Sequence, residues 1–230
     1  EFGTTQEDLA AIAVTQRENA LLNERAIQQK PMTIDDYMAS RVIVDPFHLY
    51  DMSLESDGGC ALLVTSHDRA RDCNKKPVYV KASAFLSKAT TGDPLWSDSF
   101  LWPDLTENYT KIIAPKMYRE AGIGPEDVDI AEIYDCFTYT VLMGLEGLGF
   151  CQKGEGGPFA SSGAIGLGGT IPTNTNGGML SEAYVHGMNV IAEAVMQLRG
   201  EGGARQVSDA EVAVVTSGAT TIGSGCILTV

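Results

Sequence analysis

The 230-residue sequence predicts an α/β fold in which helices cover a mixed sheet. Three observations carry that expectation. Short β-branched runs at residues 130–134, 212–216 and 226–230 have the length and composition of buried strands. Apolar residues recur at helical spacing in the segments around and between them, as at Val141, Leu142, Leu145 and Leu148. Glycine-rich turns stand where strands give way to helices, so strand, helix and turn alternate in α/β order.

From the start of the chain, residues 5–22 place Leu9, Ile12, Ala13, Gln16 and Ala20 on one helical face. Thr5 is positioned to cap that helix, and Glu7 and Asp8 suit the positive end of its dipole. Lys30-Pro31-Met32 breaks the pattern, and Thr33 with Asp35 and Asp36 opens a shorter helix through Ser40. Residues 46–55 read as loop. The unbroken apolar run 59–65 predicts a buried strand, followed by a helical segment over 67–72. Residues 77–85 alternate and are β-branched, which predicts another strand. Residues 86–106 contain Gly92, Pro94 and Pro103 with Trp96, Phe100, Leu101 and Trp102, a loop whose rings either pin it to the surface or wall a bulky apolar substrate.

Thr106 and Gly122 bracket a helix over 106–121, and a turn follows at 125–129. The strand at 130–134 delivers Tyr134, and Asp135 is expected to cap a helix from Cys136 that buries Phe137, Val141, Leu142, Leu145 and Leu148. Residues 154–158 and 161–163 read as flexible loops. One helix is expected over 178–198, then a polar turn at 200–203, then the last two strands as an antiparallel pair.

Sixteen Lys and Arg against 30 Asp and Glu give a net charge of −14, which excludes phosphate-rich nucleic acid and anionic membranes as natural partners. No apolar run approaches the roughly 20 residues that span a bilayer, and no signal segment opens the chain, so a cytoplasmic location is expected. Five cysteines, at 60, 73, 136, 151 and 226, lack the spacing of a zinc ribbon or redox pair and read as reduced, mostly buried thiols. His48 and His67 read as surface residues. Cys136 and Cys226 are not assigned as nucleophiles, and no metal or cofactor is expected in this chain.

Two motifs carry the chemistry. Ile133-Tyr-Asp-Cys-Phe137 ends a strand, and about forty residues later Asn174-Thr-Asn-Gly-Gly178 turns toward Ala183-Tyr-Val-His-Gly187. With Ser217-Gly-Ala-Thr-Thr-Ile-Gly-Ser-Gly-Cys226, Gly3-Thr-Thr-Gln-Glu-Asp-Leu9 and Ser56-Asp-Gly-Gly-Cys-Ala-Leu62, this order resembles the C-terminal half of the thiolase superfamily, in the branch related to sterol-carrier-protein thiolases. The resemblance implies the C-terminal portion of a layered αβαβα fold. Residues 1–76 would then end the N-terminal half with its cap and loop region, and residues 77–230 would form the C-terminal domain. It also implies that the chain is a fragment, because the thiolase nucleophile loop would precede it.

Thiolases carry His-Asp-Cys-Phe at the first motif, Gly-His-Pro at the second and Cys-x-Gly at the third. Here Tyr134 and Tyr184 stand in place of the two histidines, and no cysteine precedes Gly223-Ser-Gly225. The acid and base of Claisen condensation are thereby lost. A phenol with a pKa of about 10 is only roughly 0.1% ionised at neutral pH, so a pair of them suits reversible proton transfer between oxygen and carbon. That pattern resembles the aldolase branch that shortens steroid side chains, releasing propionyl-CoA from a 17-hydroxy steroid acyl-CoA.

The resemblance makes Tyr134 and Tyr184 the catalytic candidates, with Asp135, His186, Gly177, Gly178 and Gly223 in support, and backbone amides of the glycine-rich turns holding the enolate oxygen. From spacing alone, His186 points away from Tyr184 on a helix and reaches it only from an irregular turn. The implied partners are an acyl-CoA thioester as substrate, a second copy in a homodimer, and a small OB-fold and zinc-ribbon subunit. A noncatalytic thiolase-fold subunit that binds acyl-CoA or a partner, and a thiolase or acyltransferase, are the alternatives.

Overall fold

A computed structural model describes residues 1–87 and 104–230. The aromatic-rich stretch with Trp96, Phe100, Leu101 and Trp102 lies outside the described residues. The chain opens with helix α1 (Gln6–Leu21), capped by Thr5, whose hydroxyl accepts the Asp8 N–H while the Asp8 carboxylate accepts the Thr5 N–H. Thr33 and Asp36 repeat that reciprocal cap at α2 (Ile34–Met38). A small hairpin of β1 (Val42–Val44) and β2 (Phe47–His48) follows, then the single turn α3 (His67–Ala70).

The organising sheet has four strands: β3 (Tyr79–Leu86), β4 (Ile130–Glu132), β5 (Val212–Gly218) and β6 (Gly223–Thr229). Their order across the sheet is β3, β6, β5, β4. β6 is antiparallel to both β3 and β5, while β5 and β4 are parallel, which makes the sheet mixed. Alternation along the strands divides the core. Val214 and Ile227 face one side with Ala82, Ala84, Ile113 and Met117, beneath α4 (Thr110–Ala121) and α5 (Thr138–Leu148). Ala213, Val215 and Leu228 face the other, where Val190, Ala194 and Leu198 of α8 (Met188–Leu198) pack. Two short helices, α6 (Gly156–Ser161) and α7 (Gly178–Ser181), lie against α1, which thereby touches the element that carries the glycine turn.

Several expectations are corrected. Residues 59–65 form no strand: Leu63 is 94% exposed, and no strand among the described residues pairs with them, so their apolar sequence has no ladder to join. The helix ending at Gly122 starts at Thr110 rather than Thr106, because the Thr106 hydroxyl donates to Asp104 while Asn108 accepts the Thr110 N–H. Gly122 does end it, in a left-handed conformation. Residues 156–161 are helical rather than loop, with Gly156 and Gly157 buried against Leu142 and Asp8. The single helix expected over 178–198 is two, separated by residues 182–187, where His186 and Gly187 both adopt positive φ. Helix α5 starts at Thr138, not Cys136, and is not capped by Asp135. His48 is buried, its ring stacked obliquely on Tyr37, and of the cysteines expected to be mostly buried, Cys73 is exposed and Cys60, Cys136, Cys151 and Cys226 are half-buried.

Beneath α8 the interior is unusually polar. Glu193 is fully buried and takes a bidentate hydrogen bond from Arg205, Nε to Oε1 and Nη2 to Oε2, both 2.8 Å. The Thr175 hydroxyl lies 2.9 Å from both Glu132 Oε1 and Glu193 Oε1, so two carboxylates share one environment, with Arg205 hydrogen-bonded to Glu193 and Arg25 farther off at 3.9 Å. Burial and the neighbouring Glu193 charge push the Glu132 carboxyl well above its usual range, so it holds a proton. Replacing Arg205 by Met should strip the buried Glu193 of its bidentate partner, leaving only the more distant, exposed Arg25, and lower unfolding free energy by about 3 kcal/mol, read as a shift in denaturant midpoint. Adding Glu193→Gln should restore most of the loss, and an unshifted midpoint in the single variant would contradict this.

Candidate active site

β4 is an edge strand of the described sheet, and the next segment of chain to reach it is residues 172–174. Ala131 donates to the Pro172 carbonyl and accepts from the Asn174 N–H, both 3.0 Å. Asn174 then closes a two-way clamp on Ile133, accepting its N–H at 2.7 Å and donating to its carbonyl at 2.9 Å. Asn174 adopts φ +48, a conformation asparagine tolerates better than most residues. The clamp registers the first motif against the second.

Asp135 follows and is fully buried. Its two oxygens accept the N–H groups of Met179 and Leu180 at 2.9 and 3.1 Å, so it caps α7 across the molecule rather than its own following helix. Gly178 makes that approach feasible: it sits at φ +61, and a Cβ there would lie 2.1 Å from an Asp135 oxygen. Gly177, at φ +102, backs onto Ala20 of α1 in the same way, with a Cβ 2.6 Å from the Ala20 methyl. The amides of Gly178, Met179 and Leu180 donate to Asn176 and Asp135, so the turn does not offer these three N–H groups to an enolate oxygen.

Tyr134 enters the site with its N–H bonded to Thr216 Oγ1 of β5 at 3.1 Å. Thr216 in turn hydrogen-bonds the hydroxyl of Tyr109, whose ring occupies the space a side chain at Gly223 would fill. Gly223 therefore supports the site from below through Tyr109 and Thr216, not from within it. Residues 182–187 are held from the other end. Glu182 accepts hydrogen bonds from the side chains of Asn23, Asn176 and Asn189, and Ser56 accepts the Tyr184 N–H.

These supports bring three rings together. The Tyr134 and Tyr184 hydroxyls lie 2.9 Å apart, Tyr184 Oη lies 2.8 Å from His186 Nδ1, and Tyr134 Oη lies 3.5 Å from the same nitrogen. The rings meet edge to face, with interplanar angles of 72° to 85°. Tyr134 is buried, Tyr184 half-buried and His186 exposed. Burial, reinforced by the hydrogen bond with Tyr184, pushes the Tyr134 phenol well above its ordinary value, so it keeps its proton. Burial also pushes the thiols of Cys136 and Cys226 up to about 11, which leaves neither as thiolate at neutral pH. Among the described residues no group of three or more His, Cys, Asp or Glu converges to hold a metal ion.

Of the residues picked out in the sequence, Tyr134, Tyr184 and His186 meet directly, while Asp135, Gly177 and Gly178 set the turn beneath them. Asn174, Thr216, Glu182 and Ser56 carry no assignment in the sequence reading. Asn174 heads the glycine turn, and a polar residue at that point is its only local signal.

The comparisons with known proteins bear on family and fold. Residues 97–229 match the family model described as thiolase C-terminal domain-like. The chain is 40% identical over 230 residues to a steroid side-chain-cleaving aldolase of Thermomonospora curvata, and 41% identical over 228 residues to a 17-hydroxy-3-oxo-4-pregnene-20-carboxyl-CoA lyase of Mycobacterium tuberculosis. These alignments take in 99% and 98% of this chain but 58% of each relative, so the chain spans little more than half their length. An acetyl-CoA acetyltransferase of Methanothermobacter thermautotrophicus is 39% identical over 216 residues, 92% of this chain and 55% of the relative. A solved structure described as an Ltp2-ChsH2(DUF35) aldolase superposes with a TM-score of 0.93 at 40% identity, covering 99% of this chain and 59% of that one.

The buried Asp135 generates a pH prediction. Burial lifts its carboxyl to about 7 against the pull of the Met179 and Leu180 hydrogen bonds, whereas an unfolded aspartate titrates near 3.9. The folded state therefore binds the proton more tightly, and the stabilisation this gives is complete below about pH 4 and lost as pH rises through about 7. Unfolding free energies of wild type and Asp135→Asn, compared from pH 3.5 to 8.5, should show wild type losing ground to the variant between those limits and a constant difference above them. A difference that does not change with pH would contradict it.

Proposed function

The chain belongs to the thiolase C-terminal domain-like family, and from that premise we propose that the protein is a carbon–carbon lyase that cleaves a β-hydroxyacyl-CoA by a retro-aldol reaction on Tyr134 and Tyr184. The observation that carries this is the contact of two phenol oxygens at 2.9 Å in the positions where thiolases place histidines. Identity alone does not choose the chemistry, since relatives described as a lyase and as an acetyltransferase stand at nearly the same level. What favours the lyase is the exchange of side chains at the motifs: Tyr134 and Tyr184 stand where thiolases carry the histidines of acyl transfer, and no cysteine precedes Gly223-Ser-Gly225.

Retro-aldol cleavage needs only a proton moved from oxygen to carbon. The O–H bond of the β-hydroxyl breaks, its electrons form a carbonyl, the Cα–Cβ pair passes into the thioester as an enolate, and Cα takes up a proton. One phenol oxygen receives the hydroxyl proton and the other supplies the α-proton, which gives two positioned acid–base groups for two transfers. No cofactor enters, because CoA is part of the substrate. By analogy with the Mycobacterium tuberculosis relative, the substrate in this reading is a 17-hydroxy steroid side-chain CoA thioester, with propionyl-CoA and a ketosteroid as products.

Assembly belongs to the same proposal. Residues 1–76 complete a preceding half of the thiolase fold, the whole protein forms a homodimer, and a small OB-fold and zinc-ribbon chain binds it. The two-component description of the similar solved aldolase supports a second chain. No helix among the described residues is long and apolar enough to cross a membrane.

Full-length protein, with its partner chain if cleavage requires one, should cleave the β-hydroxyacyl-CoA and leave a β-ketoacyl-CoA with free CoA untouched. Tyr134→Phe and Tyr184→Phe each keep ring volume and should slow the chemical step by roughly 10² to 10⁴ with little change in KM. Undiminished cleavage in both variants would remove the proton-transfer roles. Failure of the wild type on every β-hydroxyacyl-CoA would favour a noncatalytic subunit.

A further inference from the structure

We infer that His186 stores the proton that lets Tyr184 act as the base of the proposed cleavage, an inference that rests on that reading of the site. A neutral phenol has no lasting capacity for a second proton. Its oxygen accepts the hydroxyl proton of a substrate only if its own proton leaves at the same time. Tyr134 is a poor destination, because it is buried, its phenol is held protonated, and the two hydroxyls already share one hydrogen bond. His186 Nδ1, at 2.8 Å from Tyr184 Oη, is the other polar atom in contact with that oxygen among the described residues. Both phenols reach this nitrogen, at 2.8 and 3.5 Å, so the ring serves one site rather than one residue.

The backbone is bent to achieve this. On a regular helix a side chain two positions on does not face the first. Here His186 at φ +51 and Gly187 at φ +82 are both left-handed, which folds the imidazole back onto the Tyr184 hydroxyl. A left-handed histidine carries a conformational cost, and such residues persist only where their surroundings hold them. Two features hold it: Glu182, fixed by three asparagine amides, precedes the turn, and a side chain at Gly187 would collide with Ser217 and the Tyr134 ring.

The inferred transfer uses one direction of this network: Tyr134 O–H donates to Tyr184 Oη, and Tyr184 O–H donates to Nδ1 in the tautomer that leaves that nitrogen unprotonated. In cleavage the substrate hydroxyl proton goes to Tyr184 Oη as the original phenol proton goes to Nδ1. Tyr134 then gives its proton to Cα of the enolate and recovers one from Tyr184, which takes its own back from the imidazolium. The net result is one proton moved from oxygen to carbon, with all three residues restored and no oxidant or reductant consumed. Tyr184 is thus the base and Tyr134 the acid, and His186 acts through Tyr184 as a positioning residue without touching substrate.

The test uses the full-length protein and any partner chain it needs, assayed on a β-hydroxyacyl-CoA. His186→Ala should lower kcat by about 10²-fold with KM within about threefold, and added imidazole should restore the rate by about tenfold or more, since the ring it replaces is exposed. His186→Asn, which tolerates the left-handed backbone but takes up no proton, should be as slow as the Ala variant. A His186→Ala rate within threefold of wild type would overturn the inference. So would a loss that imidazole fails to relieve, or full activity in His186→Asn, either of which would assign the residue to the shape of the turn. An inactive wild type would remove the lyase reading and this inference together, whereas an active wild type with an unimpaired Ala variant would remove this inference alone.

Discussion

The side-chain amide of Asn174, clamped on the backbone of Ile133, is the interaction on which the rest of the site depends. Strand β4 runs out after Glu132, three residues long, and ordinary sheet pairing cannot carry the chain further. Asn174 replaces the missing ladder with one acceptor and one donor on a single buried side chain. Losing it would strand a buried N–H and a buried carbonyl at about 1–3 kcal/mol each. Everything functional hangs on that joint: Tyr134 is the next residue after the clamped one, and the glycine turn that leads to Tyr184 begins at Asn174 itself. Asn19 of α1 braces the joint by donating to the carbonyls of Thr173 and Asn174.

Around this joint the protein spends buried polar groups where a packing core alone would use apolar ones. Asp135, Glu182, Glu193 and Glu132 are all buried within the segments that frame the three rings. Their donors are mostly side chains and backbone of distant elements, though Glu132 Oε2 has none among the described residues, and together they fix two short, irregular stretches that helix or sheet geometry would not hold. The rings they present grade from buried Tyr134 through half-buried Tyr184 to exposed His186, so the cluster runs from the interior to the surface. The amides of residues 178–180 are committed internally, which leaves the two hydroxyls and the imidazole as the polar groups that meet in the cluster.

Much of this was legible in the sequence because it depends on local rules. The Thr5 and Thr33 caps, the Gly122 stop and the antiparallel closing strands follow from composition and periodicity, whereas the strand expected over 130–134 ends at Glu132, two residues short of Tyr134, because the chain there pairs with Asn174 instead of a neighbouring strand. What escaped is what depends on distant partners. Asp135 looks like the cap of its own helix, and only the folded chain shows it capping α7, 44 residues away in sequence at Met179. The apolar run at 59–65 looks like a strand, yet a strand exists only where another strand accepts its hydrogen bonds. Residues 178–198 read as one helix because periodicity does not register two left-handed residues, and that break is what returns His186 to Tyr184. The tyrosine pair was found through family resemblance; its 2.9 Å contact was not readable from spacing.

The central claim is that these phenols move a proton to and from the α-carbon of an acyl-CoA. Incubating full-length protein, with any partner it requires, in D2O with the acyl-CoA product alone isolates that step from carbon–carbon cleavage. Mass spectrometry should show deuterium entering the α-position with wild type and exchange slowed by roughly 10²-fold or more in Tyr134→Phe, the group assigned to that carbon. Equal exchange in the two proteins, alongside active cleavage by wild type, would contradict the account.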